Sequence, residues 1–213
     1  NAIPPGVRCI YLPSAREVGE PGWEGLVTTT PALPESPVRA AGDLATIIYT
    51  SGTTGTPKGV MHSFGNLTYD AKALTAVLGL HTEDRLLSYL PLAHILERAA
   101  MEAIAFHTGF RVFFSEGVET FVADVQRARP TIFLSVPRLL LKLQQGVFAR
   151  VPRRKLEKLL RIPVVRQATR RRVLRGLGLD HVRYAASGGA PLAPELLMWY
   201  RNLGLELAEG YGM

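Results

Sequence analysis

Cysteine is nearly absent from this chain: Cys9 stands alone in 213 residues. A single thiol excludes a disulfide framework or a cysteine-rich metal site, and it suits a reducing cytoplasm. Long apolar runs are missing too, none approaching the roughly 18 residues of a membrane span. His62, His81, His107 and His181 show no metal-ligand spacing with one another or with carboxylates, and read as core or surface histidines. Trp23 and Trp199 claim no role beyond packing, and no internal repeat is present. No signal peptide is visible and the chain begins at Asn1, so a soluble, cytoplasmic piece of a longer protein is expected.

What is present is globular. Hydrophobic residues make up 47% and charged residues 20%, in a length that fits one domain or two small ones. The net charge of +7 is concentrated. Between Arg150 and Arg175 stand nine Arg and two Lys against Glu157 alone, while acids outnumber bases elsewhere.

Residues 1–42 hold seven of the fifteen prolines, which predicts an extended connecting segment with at most a short strand at Val7–Leu12. From Asp43 onward, short apolar runs alternate with helical patterns. Strands are expected at Leu44–Tyr49, Gly59–His62, Arg85–Leu90, Arg111–Phe114, Thr131–Val136, Val182–Ala186 and Leu205–Ala208. Helices are expected from an Asn66 cap to Leu78, over Ile95–Phe106, after Thr120 to Arg129, over Arg138–Phe148 and over Pro194–Leu203. This alternation predicts an α/β fold of parallel-sheet βα units over residues 43–213, with ligands at loops beyond the strand ends.

Four strings carry chemistry. The first, Tyr49-Thr50-Ser51-Gly52-Thr53-Thr54-Gly55-Thr56-Pro57-Lys58-Gly59, follows an apolar strand. Glycines let backbone N–H groups approach an anion, hydroxyls add donors, and Lys58 adds a mobile charge. It lacks the Gly-Lys-Ser/Thr of a Walker loop, which disfavours a P-loop kinase or GTPase. The plain alternative is a flexible surface turn. The second, Ser187-Gly188-Gly189-Ala190-Pro191-Leu192, lets backbone pass close to a flat ligand or simply turns into the next helix. In the third, Glu209-Gly210-Tyr211-Gly212-Met213, an aromatic between glycines can stack on a base or plug a turn. The fourth is Tyr89-Leu90-Pro91-Leu92-Ala93-His94-Ile95-Leu96-Glu97-Arg98. A lone histidine such as His94 is commonly structural, and Glu97 with Arg98 reads as a capping or ion-pairing couple.

Taken in order, these strings resemble the adenylate-forming enzymes, and the Leu-Ala-His-Ile-Leu-Glu-Arg wording resembles the long-chain fatty acyl-CoA synthetase branch. The resemblance implies the large N-terminal domain of a ligase whose substrates are ATP, a fatty acid and coenzyme A, with magnesium as cofactor. A carboxylate would attack the α-phosphate of ATP to give acyl-adenylate, and coenzyme A would then displace AMP. It implies phosphate binding by Thr50, Ser51, Gly52, Thr53, Thr54, Gly55 and Lys58, with Lys58 catalytic and Thr50 the expected metal ligand. It places adenine against Gly188, Gly189 and Ala190, the base also against Gly210, Tyr211 and Gly212, and the acyl carboxylate beside His94, read as catalytic.

The family's Thr-Glu continuation after Gly-Tyr-Gly-Met, its ribose-binding aspartate, hinge and mobile C-terminal domain would all follow Met213. Turnover by these residues alone is therefore not expected. Two other readings stay open: a non-catalytic adenylate-binding module, and a ligase for an aryl or short-chain acid. The Arg150–Arg175 segment reads as a solvated helical insertion, as a peripheral contact with anionic membrane, or, ranked last, as a nucleic-acid contact. A docking module built on that segment is the remaining rival.

Overall fold

The computed structural model describes residues 22–50 and 55–212. The chain divides into two compact units, Asn1–Arg39 and Ala40–Met213. In the first, a helix that the proline-rich composition did not suggest, α1 (Trp23–Thr29), follows Pro21 and Gly22. Thr28 and Thr29 donate their hydroxyls back to carbonyls of Glu24 and Gly25 at 2.7–3.0 Å, and the chain leaves the helix just before Pro31. The expected strand at Val7–Leu12 lies outside the described residues.

The second unit opens with β1 (Leu44–Thr50) and β2 (Lys58–Ser63), which pair antiparallel from Leu44↔Ser63 to Thr50↔Lys58. This two-stranded hairpin is a separate small sheet beside the expected parallel one. The glycine-rich loop is closed by two hydrogen-bonded strands, and no helix begins at its end. β2 runs directly into α2 (Phe64–Leu78), capped by Ser63, whose Oγ accepts from the Asn66 N–H at 3.1 Å. The cap thus lies three residues earlier than expected.

The remaining strands, β3 (Arg85–Ser88), β4 (Arg111–Phe114), β5 (Ile132–Ser135), β6 (Tyr184–Ser187) and β7 (Leu207–Glu209), form one parallel sheet in the order β4-β3-β5-β6-β7. The connection from β3 to β4 is α3 (Ile95–Arg98), a π-helical stretch Ala99–Ile104, and α4 (Ala105–Thr108). On this face Ala71, Leu86, Met101, Ile104, Phe110 and Ile132 form one core. The π-helical stretch was not legible from spacing, because its apolar residues serve 3.6- and wider-period windings alike.

The other face carries α5 (Phe121–Ala128), α6 (Pro137–Arg150), α7 (Arg153–Arg161), α8 (Pro163–Leu177) and α9 (Pro194–Leu203). Its core gathers Phe121, Val125, Phe133, Leu140, Leu177 and Tyr200, among others. The predicted shared face of Phe121, Val125 and Ala128 is buried as one row. Proline opens α6, α8 and α9, where a missing N–H costs nothing. The basic segment is a helical hairpin of α7 and α8, broken at Pro152 and Pro163, with Leu156 buried and its flanking cations exposed.

Asp84 fastens the entry ends of three strands. Its carboxylate accepts two bonds from Arg183 Nη2 at 2.7 and 2.8 Å, one from the Thr131 hydroxyl at 2.6 Å and one from the His81 N–H at 3.0 Å. Burial works to raise the Asp84 pKa, yet Thr131, Arg183 and His81 together hold it below its ordinary value.

Candidate functional site

The strand order reverses where β3 stands between β4 and β5, so the loops after β3 and β5 diverge there, the kind of place where open α/β sheets bind ligands beyond their carboxyl ends. Three of the four strings arrive at this edge. β5, β6 and β7 are in register through Ser135↔Ser187 and Ser187↔Glu209, which sets the ends of these strands level. The Gly188 N–H donates to Ser135 O at 3.2 Å, and the Gly210 N–H donates to Ser187 O at 2.8 Å. The Leu192 N–H donates to Glu209 Oε1 at 2.9 Å, tying the β6–α9 loop to the end of β7.

Into this edge comes His94. It caps α3, and its Nδ1 accepts from the Leu96 N–H at 3.2 Å. An accepting Nδ1 places the proton of the neutral ring on Nε2. That nitrogen faces Gly189: a Cβ built there would stand 3.4 Å from it. Gly189 also has φ +80°, a conformation that side chains disfavour. At Gly188 a Cβ would come within 3.2 Å of Gly210 O. Side chains at these two glycines would close the gap between the three loops. Ala190, Gly210, Tyr211 and Gly212 are exposed, the ring of Tyr211 wholly so. The arrangement offers one N–H donor, open backbone and an uncovered aromatic ring, which suits a flat ligand carrying an anionic group.

The first string contributes less that can be described. Thr50 and Lys58 sit opposite each other at the base of the hairpin loop, with Thr50 Oγ1 donating weakly to Lys58 O at 3.5 Å. Lys58 is exposed and Gly55 has φ +81°. Ser51, Gly52, Thr53 and Thr54 lie outside the described residues. Among the described residues, no group of three His, Cys, Asp or Glu could hold a metal. The Thr50 hydroxyl fits magnesium only as one ligand among phosphate and water oxygens.

Glu97 corrects the ion-pair reading. Arg98 pairs with Glu102 at 2.9 Å and donates to Leu92 O at 3.0 Å, while Glu97 is buried with Oε1 lacking a partner among the described residues. Burial raises its pKa above the ordinary value, against the pull of the Ser88 hydroxyl, the Leu90 and Tyr89 N–H groups and His94. Ser187 Oγ, beside Gly188, is likewise buried and has no partner among the described residues. Such orphaned groups are rare in structural cores, and two of the three found among the described residues flank this edge. Their sequence signals were slight: Glu97 lies one helical turn after His94, and Ser187 ends a strand. Tyr89 is also held firmly. Its hydroxyl donates to Leu134 O at 2.8 Å, its ring stands edge-on to Phe121, and burial pushes its pKa up to about 12.

A parallel sheet with glycine loops meeting a histidine at its carboxyl edge defines an α/β protein whose ligands bind beyond the strand ends. Residues 7–213 match the family model described as AMP-binding enzyme, and the chain belongs to that family. It is 35% identical to long chain acyl-CoA synthetase 7, peroxisomal, of Arabidopsis thaliana, over 96% of this chain and 31% of that protein. To long-chain-fatty-acid–CoA ligase 6 of Mus musculus it is 31% identical, over 97% of this chain and 32% of the ligase. The chain thus spans about a third of the length of the curated relatives it matches. Among solved structures it resembles the adenylation domain of a carboxylate reductase from Mycobacterium chelonae, with TM-score 0.68, 26% identity, and 89% and 30% of the two chains covered. It also resembles o-succinylbenzoate coenzyme A synthetase of Bacillus subtilis in complex with AMP, with TM-score 0.60, 29% identity, and 82% and 31% covered.

Proposed function

We propose that this chain supplies the nucleotide- and acyl-binding edge of an ATP-dependent long-chain fatty acid–CoA ligase. The observation that carries the reading is the meeting of His94 with Gly189, beside the Gly188–Gly210 contact, at the carboxyl ends of β3, β6 and β7. In this reading the fatty carboxylate lies at His94 Nε2–H, which holds one carboxylate oxygen while the other attacks the α-phosphate of ATP. The adenine lies on the open backbone of Gly188, Gly189 and Ala190, with Tyr211 stacked on it and Gly210 and Gly212 giving the ring room. Lys58 meets the charge of the departing pyrophosphate, which a mobile ammonium can follow as it leaves. In the same reading Thr50, Ser51, Thr53 and Thr54 would offer hydroxyls, and Gly52 and Gly55 backbone N–H groups, to the phosphates. Thr50 would hold magnesium together with phosphate oxygens, and the ion would supply further charge neutralisation there. Coenzyme A then takes the acyl group as a thioester and AMP leaves.

The whole protein carries out this reaction; the 213 residues alone bind nucleotide weakly and do not turn over. The hairpin supports that part of the reading, because Tyr49 and Met61 are each 71% exposed on it and call for cover from further chain. A ligase for another carboxylic acid is the second reading, favoured by the o-succinylbenzoate synthetase among the structural neighbours. The test is carboxylate-dependent exchange of pyrophosphate into ATP by the whole protein, with palmitate, octanoate and benzoate as competing acids. Exchange fastest with palmitate supports the first reading, and exchange fastest with benzoate supports the second.

A further inference from the structure

Three acids are buried among the described residues, Asp84, Glu97 and Asp124. Two of them are fully engaged. Asp84 fastens three strands, and Asp124 accepts from the Ser115 and Thr120 hydroxyls, the Glu116 N–H and Arg127. Glu97 is different: it is 4% exposed, its neighbour Arg98 pairs with Glu102 instead, and its Oε1 has no partner among the described residues. Burial works against its ionised form, while the Ser88 hydroxyl, the Leu90 and Tyr89 N–H groups and His94 act in the other direction. An apolar side chain would sit there without that penalty, and groups kept at such a cost gather where a structure has a task for them.

The surroundings of Glu97 show the task. The chain from Tyr89 to His94 is the loop that carries the imidazole from β3 to α3, and α3 holds that loop along its length. The His94 N–H donates to Pro91 O at 2.8 Å, and Arg98 Nε donates to Leu92 O at 3.0 Å. The first two residues of the loop, Tyr89 and Leu90, direct their N–H groups to Glu97. On the sheet side Tyr89 is fixed by its hydroxyl on Leu134 O at 2.8 Å and by its ring against Phe121. Glu97 follows His94 by three residues, one helical turn, so it joins the point where the loop leaves the sheet to the point where the imidazole is presented. We infer that Glu97 is a positioning residue for His94: its buried carboxyl holds the Tyr89–Leu90 backbone against α3 and so fixes the imidazole beside Gly189. Glu97 touches no substrate in this role. Its effect on the reaction rests on the ligase reading above; the clasp on the loop does not.

The oxygens of a carboxyl accept more than one bond each, an amide of the same length keeps one such oxygen, and leucine keeps none. Glu97→Gln and Glu97→Leu therefore separate the clasp from mere filling of space. In the whole protein, labelled with ¹⁵N-histidine, the ring nitrogen resonances of His94, identified by their loss in His94→Ala, read its position apart from catalysis. The expected result is His94 held with its proton on Nε2 in the wild type and in Glu97→Gln, and a mixture of tautomers in Glu97→Leu. Palmitate-dependent pyrophosphate exchange at saturating substrates should fall about tenfold in Glu97→Leu and stay within about threefold of the wild type in Glu97→Gln, with the KM for ATP steady in both. Added to His94→Ala, Glu97→Leu should cost less than about twofold, because the two act as one unit. Glu97→Leu removes an unpartnered acid and is expected to fold; Glu97→Met, more adaptable in shape, gives the same comparison if it does not. A His94 ring signature that is the same in the wild type and in the apolar variant overturns the inference. So does a loss in Glu97→Gln as large as in Glu97→Leu, or a full loss on top of His94→Ala. Absence of exchange in the wild type, with the His94 signature still changed by Glu97→Leu, would overturn the ligase reading alone.

Discussion

His94 Nε2 and Gly189 approach so closely that a single methyl group on the glycine would stand 3.4 Å from the ring nitrogen. Ninety-five residues of sequence separate the two, and β3 and β6 bring them together. The contact depends on Gly189 in two ways, through the absent side chain and through a φ of +80°.

Gly189→Ala is therefore expected to cost about 1 kcal/mol of stability from the left-handed backbone alone. It also puts a methyl group in contact with the imidazole, 3.4 Å from Nε2, and covers the N–H that faces the open edge. In the whole protein we expect acid-dependent pyrophosphate exchange to fall on the order of tenfold, a misplacement effect at the reacting carboxylate. Chemical denaturation alongside exchange kinetics separates the two consequences. An unchanged exchange rate with the expected loss of stability would remove His94 from the reaction.

Glu97 makes the protein less stable at neutral pH than an uncharged residue of its shape would. Its folded pKa lies above the ordinary 4.5, so the folded state binds the proton more tightly than the unfolded state does. The contribution of that proton is fully present below about pH 4.5 and is lost as pH rises through the folded value. Glu97→Gln should accordingly unfold at higher urea than the wild type at pH 8, with the advantage shrinking toward pH 4.5. Urea titrations at several pH values check this. An advantage constant with pH would mean that Glu97 is ionised as freely as in the unfolded chain.

Asp84 has the opposite sign. Its folded pKa is held below 3.8, so it stabilises above that pH and its contribution disappears as pH falls through the folded value. Asp84→Asn removes the charge that Arg183 meets and replaces one of the two accepting oxygens with an NH2 donor at the entry ends of β5 and β6, and should cost about 2–4 kcal/mol at pH 7. Denaturation midpoints of the two proteins should converge below about pH 3.8. A loss under 1 kcal/mol at neutral pH would show that Asp84 does not fasten the three strands.

Much of this architecture is legible in the residues because local rules and tertiary packing agree. Arg111–Phe114 and Pro194–Leu203 are found where their apolar pattern, prolines and glycines place them. The antiparallel pairing of β1 with β2 is not local information. The two strands are apolar enough for either partner direction, and only the return of the chain at Thr50 and Lys58 decides it. Trp23–Thr29 was hidden by flanking prolines, since composition averages over a seven-residue helix. At the site, Gly188, Gly189 and His94 are readable as strings, but their meeting is a property of sheet order. Glu97 looked like a partner for its neighbour Arg98. A π-helical stretch beginning at Ala99 and a pairing of Arg98 with Glu102 instead leave it buried.

The measurement that bears most directly on the proposed activity is fatty-acid-dependent ATP–pyrophosphate exchange by the whole protein across acyl chain lengths, with Lys58→Ala alongside. The account predicts exchange that peaks with long chains and falls about a hundredfold in Lys58→Ala, as for loss of a group that meets developing charge. Exchange absent with every carboxylate, from a protein shown to be folded, would contradict it and leave these loops as a binding scaffold without the chemistry.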